Sequence, residues 1–200
     1  MKKLLCEGAK TMDVSLNEEQ VKQLLDYHAL IHKWNKVYNL SAIRDPLESI
    51  KKHFLDSLSI LEFTKPGLLL DVGSGAGLPG IIIAIMKPKT NVFVIDSVGK
   101  KCRFMQTVKT ELGLENLTVI NDRVESFNYP ELFSQITSRA FASAIETVNK
   151  TKHLISNDGR YLLMKGDNIA QENIENMESK VHTLKVPFVS DKRSLLEIKI

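Results

Sequence analysis

Four glycines within eight residues are the feature of this 200-residue chain that most restricts its fold. They lie in the segment 71–80, DVGSGAGLPG, directly after the apolar run 68–72. A tight turn from a strand into a helix needs one glycine, whereas several glycines let a ligand approach the backbone where side chains would collide. The segment therefore predicts a buried strand, a ligand-binding loop and a helix that begins near Leu78.

Short apolar runs alternate with helical patterns beyond residue 66, which predicts an α/β fold with a mostly parallel sheet. We expect six parallel strands and one antiparallel strand, because no helix separates the last two. The strands are predicted at 68–72, 91–96, 117–121, 135–138, 160–165, 183–188 and 195–200. Helices are predicted at 78–86, 100–112, 141–155 and 168–180, with Gly113 as a left-handed cap of the second.

The first 65 residues read as an N-terminal helical extension, and residues 66–200 as one compact core unit. Ser15 and Glu18 have the spacing of a capping box at the start of a first helix. Asp45 and Pro46 mark the start of a second helix. The apolar faces of these two helices are predicted to be Val21, Leu24, Leu25, His28 and Ile31 in the first, and Leu47, Ile50, Phe54, Leu58 and Leu61 in the second.

Composition excludes several classes of protein. Apolar residues make up 43% and charged residues 26%, which is ordinary for a globular domain. The two cysteines, Cys6 and Cys102, cannot build a disulfide framework, so we expect a reducing, cytoplasmic environment. No apolar run approaches the roughly 20 residues that span a bilayer, and the five histidines and two cysteines lack metal-ligand spacing. We therefore expect neither a membrane partner nor a metal.

Two kinds of ligand compete for the glycine loop. The residues from Gly75 to Gly80 match the G-x-G-x-x-G fingerprint of dinucleotide sites, and the longer phrase from Asp71 to Gly77 resembles motif I of class I methyltransferases. A carboxylate at Asp71 opposes a pyrophosphate and suits a cofactor that carries an ammonium and a sulfonium. Asp96 ends the next strand and can accept hydrogen bonds from ribose hydroxyls of either ligand. A nicotinamide-dependent oxidoreductase and a non-catalytic RNA-binding module remain as alternatives.

Further segments sharpen this interpretation. They are WNKVYNLSAI at 34–43, HFLDSL at 53–58, the glycine loop, DS at 96–97 with KK at 100–101, and SRAFAS at 138–143. In this order they closely resemble the bacterial small-subunit ribosomal RNA guanine-N7 methyltransferases, once called glucose-inhibited division protein B. The resemblance extends from about Leu16 to Ile200. Ser41 stands where the family usually has Thr, and Lys52 where Arg is usual.

The resemblance implies a Rossmann-like class I fold that uses S-adenosylmethionine and releases S-adenosylhomocysteine. It also implies methylation of N7 of a guanine in the decoding-region loop of 16S rRNA, with the small ribosomal subunit as partner. The sequence leaves the oligomeric state open, and a monomer is the default expectation. Asp96 and Ser97 would then lie near the ribose, and Val124 and Glu125 beside the adenine. The full set expected at the cofactor is Asp71, Gly73, Ser74, Gly75, Gly77, Leu78, Asp96, Ser97, Val124, Glu125 and Arg139.

The substrate side is less defined by the sequence. Guanine N7 carries a lone pair and no proton, so we expect catalysis by alignment without a general base. Arg123, Arg139 and Lys165 are candidates for positioning the substrate, and none of them is assigned a catalytic role. The cations expected to neutralise RNA phosphates are Lys100, Lys101, Arg103, Lys165 and Arg193. Tyr38 and Phe141 are candidate stacking partners for a flipped base.

Overall fold

The computed structural model describes residues 1–166 and 177–200, and these residues contain one seven-stranded sheet. Its strands are β1 (Gly67–Val72), β2 (Thr90–Asp96), β3 (Leu117–Asn121), β4 (Phe133–Arg139), β5 (Ile155–Lys165), β6 (Glu178–Leu184) and β7 (Arg193–Lys199). They lie in the order β3-β2-β1-β4-β5-β7-β6. Strand β7 pairs antiparallel with both of its neighbours, while the pairs among β1 to β5 are parallel. The prediction of one reversed strand is thus confirmed.

Helices flank this sheet and precede it. The α-helices are α1 (Lys2–Thr11), α2 (Glu18–Tyr38), α3 (Pro46–Ser49), α4 (Asp56–Leu58), α5 (Gly80–Met86), α6 (Gly99–Leu112) and α7 (Ala144–Thr151). A π-helical segment, Ile50–Leu55, joins α3 to α4, and a 3-10 turn spans Leu61–Phe63. Gly113 ends α6 with a φ of 63°, as predicted.

The N-terminal half differs from the prediction in three details. The capping box of α2 is made by Asn17 and Gln20, whose side chains each accept a backbone N–H, so Ser15 plays no part in it. Asp45 does cap α3, accepting from the amide of Glu48 at 2.8 Å. Leu47, expected on the buried face, is 48% exposed. Helix α1 was not predicted, because the segment is polar and its few buried residues, such as Leu5 and Ala9, do not form a recognisable apolar stripe.

The C-terminal half is shifted at two elements. Helix α7 is shorter than the predicted 141–155, because residues 141–143 belong to the loop after β4 and β5 begins at Ile155. A strand was predicted over 183–188, but β6 ends at Leu184. Its pairing with β7 stops there, where Leu184 lies opposite Arg193, the first residue of β7. Residues 168–176 of the predicted helix 168–180 lie outside the described residues, and 178–180 belong to β6.

The N-terminal helices and the sheet share a single hydrophobic core. Leu5 of α1 and Leu24 of α2 are fully buried in the same cluster as Ile82 of α5 and Val94 of β2. The opposite face of the sheet packs a second cluster that includes Val148 of α7. Helix α2 thereby lies against the glycine loop, where the Tyr27 hydroxyl donates to the carbonyl of Ala76 at 2.5 Å.

Candidate active site

The glycine loop crosses the carboxyl end of β1 in a conformation that favours glycine. Gly73, Gly75 and Gly77 have φ of 65°, 61° and 88°, in the left-handed region. A Cβ on Gly73 would lie 2.3 Å from Cδ2 of Phe141, so the absence of a side chain there also lets the aromatic ring approach. The loop therefore requires glycine for two reasons, the positive φ of its backbone and the close approach of Phe141 at Gly73.

Asp71 lies beneath this loop with none of its surface exposed. Its Oδ2 accepts from the amide of Gly80 at 2.9 Å, while Oδ1 has no hydrogen-bond partner among residues 1–166 and 177–200. Burial raises the pKa of Asp71 to about 7, and the bond from Gly80 opposes the rise. Because the first amide of α5 is bound by this carboxyl group, it does not offer the pyrophosphate site typical of dinucleotide folds.

Asp96 occupies the carboxyl end of β2 and borders an open space. Its Oδ1 accepts from the amide of Val98 at 2.9 Å, and its Oδ2 accepts from the amide of Gly75 at 3.0 Å and from Nζ of Lys101 at 3.3 Å. A carboxylate has about four acceptor positions, so these three bonds leave capacity for a further donor. The side chain thus ties the loop to α6 and can still bind a hydroxyl.

A first cavity of about 390 Å³ opens beyond the ends of β1, β2 and β3. Of the residues predicted to bind the cofactor, it is lined by Gly73, Asp96, Ser97, Val124 and Glu125, together with Arg123 and Lys101 from the substrate and RNA predictions. Val124 is almost fully buried and gives an apolar wall, while Glu125 pairs with Lys150 at 3.3 Å. A volume of this size, an apolar wall and a carboxylate with spare capacity fit a nucleoside cofactor.

The other predicted cofactor residues stand behind the loop or beside it. Ser74 is buried and donates from its hydroxyl to the carbonyl of Asp71, and Leu78 is a core residue with 3% of its surface exposed. Neither of them borders the first cavity, nor do Asp71, Gly75 and Gly77. These residues shape the loop rather than the cavity wall.

A second cavity of about 410 Å³ adjoins the first, since Ala140 lines both. Among the described residues, the charged side chains that border it are Lys52, Arg139, Lys165, Arg193 and Asp56. The reversed strand explains how distant residues meet, because β7 pairs antiparallel with β5 and sets Ser194 opposite Lys165. The first residue of β7 therefore lies at the same sheet edge as the last residues of β4 and β5.

Arg139 belongs to this second cavity, although the sequence placed it with the cofactor residues. Its Nη1 donates to the carbonyl of Lys52 at 3.0 Å and to Oδ2 of Asp56 at 3.2 Å, and its Nη2 lies 3.1 Å from Nδ1 of His53. Lys165 donates from Nζ to the carbonyl of Ala142 at 3.0 Å. The loop after β4 is thus tied to the helical segment on one side and to β5 on the other.

Sequence reasoning missed His53 and Asp56, which are both buried, with 8% and 4% of their surface exposed. Burial lowers the pKa of His53 to about 4, with the charge of Arg139 acting in the same direction. Burial also raises the pKa of Asp56, against the pull of two arginines. The available signal was a pair of polar residues three positions apart on the buried side of an apolar helix.

The remaining predicted RNA contacts lie at the surface. Lys100 and Arg103 are exposed on α6 and border neither cavity. Tyr38, at the end of α2, is 36% exposed, and Phe141 lines the first cavity with Lys150 5.5 Å from its ring centroid. In the part of the chain described by the structure, no cluster of His, Cys, Asp and Glu could hold a metal, and no helix could cross a membrane.

Comparison with known proteins decides which interpretation of this site is right. The family model described as GidB, rRNA small subunit methyltransferase G, matches residues 20–196. The chain belongs to this family. A ribosomal RNA small subunit methyltransferase G of Ruthia magnifica is 51% identical over 193 residues, covering 96% of this chain and 95% of its own length. The namesakes of Pseudomonas fluorescens and Francisella philomiragia are 46% and 37% identical, and the matches cover 93% and 98% of their lengths.

Solved structures at low identity support the same fold. A SAM-dependent methyltransferase from Aquifex aeolicus superimposes with a TM-score of 0.62 at 13% identity, covering 81% of this chain and 97% of the other. The plantazolicin methyltransferase BpumL, solved with SAH, gives a TM-score of 0.58 at 16% identity over 91% of this chain and 98% of the other. The chain thus has the class I methyltransferase fold, and its family membership speaks against the nicotinamide-dependent oxidoreductase that the sequence left as an alternative.

Proposed function

We propose that this chain transfers a methyl group from S-adenosylmethionine to N7 of a guanine in the decoding-region loop of 16S rRNA. Membership of the small-subunit methyltransferase G family, at up to 51% identity over 96% of the chain, carries this proposal. The geometry supports it with two adjoining cavities, one suited to a nucleoside cofactor and the other lined by cations that suit a polyanion.

The first cavity takes the cofactor in this proposal. The carboxylate of Asp96 accepts from the ribose hydroxyls, with Ser97 beside it, and Val124 and Glu125 flank the adenine. Gly73 lets the ligand approach the backbone at the end of β1. The remaining predicted cofactor residues of this segment lie outside the cavity wall and fix the conformation of the loop: Asp71, Ser74, Gly75, Gly77 and Leu78.

The chemistry requires alignment more than proton transfer. When bound, S-adenosylmethionine supplies a methyl group activated by a sulfonium. The N7 lone pair lies in the plane of the guanine and carries no proton, so no residue of the chain has to act as a base. The chain's task is to hold the base edge over the junction of the two cavities, where Ala140 and Phe141 lie. Arg139, Lys165 and Arg123 are placed to position the substrate there.

The RNA-facing surface extends from the second cavity along the start of α6. Lys165 and Arg193 contact the nucleotide near the target, while Lys100, Lys101 and Arg103 neutralise phosphates further along the strand. Under this proposal the chain acts in the cytoplasm, because the small ribosomal subunit is its partner, and the monomer remains the default expectation.

The test is methylation of small ribosomal subunits that lack the modification, with methyl-labelled S-adenosylmethionine. We expect label at one guanine, and N7 is identified by chain cleavage after reduction and aniline treatment. Asp96→Asn should raise the Kd for the cofactor about tenfold or more, because a charged acceptor is lost. Asp158→Asn removes an exposed carboxylate of β5 and serves as the matched control. Normal cofactor binding by the wild-type chain without label on subunits or free rRNA would refute the substrate.

A further inference from the structure

One buried carboxylate joins two arginines that are 54 residues apart in the sequence. Oδ2 of Asp56 accepts from Nη1 of Arg139 at 3.2 Å, and its Oδ1 lies 3.3 Å from Nε of Arg193. Asp56 is 4% exposed, whereas each guanidinium keeps about a fifth of its side chain open to the second cavity. The carboxylate therefore fixes the relative position of two cations that belong to different strands, β4 and β7.

His53 completes the support of Arg139. Nδ1 of His53 lies 3.1 Å from Nη2 of Arg139 and 3.2 Å from the carbonyl oxygen of Lys52. A guanidinium can only donate, and this carbonyl already accepts from Nη1 of Arg139 at 3.0 Å, so an unprotonated Nδ1 that accepts from Arg139 satisfies the larger number of groups. The proton is then on Nε2, which donates to Oγ of Ser41 at 2.6 Å, while the same Oγ accepts from the amide of Ile43. The neutral tautomer with its proton on Nε2 satisfies the contacts to Arg139 and Ser41 together, and burial keeps the ring neutral by lowering the pKa of His53 to about 4.

Arg139 and Arg193 both line the second cavity, and Arg139 retains donors that its supporting residues do not use. Among the described residues, Nη1 of Arg139 serves Lys52 and Asp56 and Nη2 serves His53, which leaves Nε–H and the second Nη2–H without a hydrogen-bond partner. Among residues 1–166 and 177–200, both guanidinium groups line this cavity together with the carboxylate of Asp56. The planar fork of N–H donors on a guanidinium is suited to an oxyanion such as a phosphate.

We propose that Asp56 and His53 are positioning residues that hold Arg139 and Arg193 as a clamp for a backbone phosphate of the RNA, next to the target guanine. The inference rests on the proposed function, because that function supplies the phosphate. The carboxylate of the cofactor is the competing oxyanion. The position of the clamp favours RNA, since Arg139 and Arg193 border the second cavity and not the one that holds Asp96.

The test compares Asp56→Asn with wild type in the subunit methylation assay, measuring the Kd for the cofactor, the KM for the subunit and its salt dependence. We expect the KM for the subunit to rise about tenfold and the slope of log KM against log salt to fall by about one, as for one lost phosphate contact. The Kd for the cofactor should stay within about twofold. Asp191→Asn is the matched control, because Asp191 also contacts Arg193, at 3.4 Å, but is exposed.

Two substitutions of His53 separate positioning from a merely structural role. His53→Asn keeps an acceptor near the place of Nδ1 and should preserve the KM for the subunit, whereas His53→Gln loses that acceptor and should raise the KM. Arg193→Gln, at the cavity rim, repeats the salt test if Asp56→Asn does not fold.

Each outcome is distinguishable. An unchanged KM and salt slope in a folded Asp56→Asn variant overturns the clamp, and so does a rise in the Kd for the cofactor that matches the rise in KM. A wild-type chain that methylates no rRNA overturns the proposed function itself.

Discussion

Asp71 and Asp96 lie at the carboxyl ends of the neighbouring parallel strands β1 and β2, but their surroundings give them different roles. Asp71 is sealed beneath the loop and bound to the amide of Gly80, and its burial raises its pKa to about 7. Asp96 borders the first cavity and holds the amide of Gly75 and the ammonium of Lys101. The difference in burial explains the difference in role. A carboxylate that no ligand can reach can only bind neighbouring groups of the protein, such as a backbone amide.

Gly73 is the loop residue at which a side chain would bear most directly on the first cavity, because Gly73 and Phe141 both line it. We expect Gly73→Ala to lower the free energy of unfolding by about 1–2 kcal/mol through its positive φ, and to weaken cofactor binding because the methyl group displaces Phe141. Chemical denaturation and cofactor titration measure the two effects.

Gly113→Ala is the matched control for that prediction. Gly113 has a φ of 63°, against 65° at Gly73, but an added Cβ would meet nothing within 4 Å. The control should lose similar stability and keep its Kd for the cofactor. Equal cofactor affinity in both variants would contradict the role given to the approach of Phe141.

At the scale of elements, helix α2 connects the N-terminal extension to the glycine loop. Its buried face reaches the sheet, and the hydroxyl of Tyr27 bonds the carbonyl of Ala76 within the loop. The capping residues lie about three turns from Tyr27. Fraying of the first turn of α2 would therefore leave the hydrogen bond between Tyr27 and Ala76 in place. The N-terminal cap is therefore expected to affect stability and to leave the site intact.

Asn17→Ala should lower the free energy of unfolding by about 1 kcal/mol, because the amide of Gln20 loses its acceptor. Ser15→Ala is the control, since Ser15 is exposed and makes no side-chain hydrogen bond among the described residues. Thermal melting of the three proteins checks this, with a shift of about 2–4 °C expected for Asn17→Ala alone. A larger shift for Ser15→Ala would show that the helix starts earlier in solution.

Strand β7 is the other element on which the site depends. A parallel strand at its place would deliver its last residue to the active edge, whereas the reversed strand delivers its first, Arg193. The two antiparallel pairings of β7 thus determine which end of the C-terminal segment faces the RNA.

For the whole molecule, buried groups link stability to pH in opposite directions, with Asp71 on one side and His53 and His28 on the other, because burial also lowers the pKa of His28 to about 4. Asp71 has a pKa of about 7 when folded against 3.8 unfolded, so the folded chain binds the extra proton between these values and loses stability as pH rises. His53 has a pKa of about 4 when folded against 6.5 unfolded, so the unfolded chain binds the extra proton and stability falls as pH decreases. The two slopes oppose each other in the wild-type chain.

Substituting Asp71 or His53 separates their contributions to the pH dependence of the free energy of unfolding. The free energy of unfolding of Asp71→Asn minus that of wild type should rise between about pH 4 and 7, by at most about 4 kcal/mol. The corresponding difference for His53→Asn should instead grow as pH falls from about 6.5 to 4, by at most about 3 kcal/mol. Urea denaturation at several pH values measures both. A pH-independent difference for Asp71→Asn would mean that this carboxyl group is ionised in the folded chain.

Local chemistry was readable from the sequence alone. Glycines at 73, 75 and 77 require positive φ, Gly113 stops a helix, and alternating apolar runs specify strands that are buried on both faces. The order of these signals also determined which carboxylates end strands β1 and β2. The motifs, taken together, were specific enough to indicate the family.

Only the tertiary structure decided which of these residues share a cavity. Whether Arg139 faces the cofactor or the substrate depends on Asp56 and His53, which approach it from another part of the chain. The placement of Arg193 and Lys165 at one cavity depends on the register between β5 and β7, which sets Ser194 opposite Lys165. Periodicity reports which face of an element is buried, but contacts between residues far apart in the chain are set by packing and register, which a local pattern does not encode.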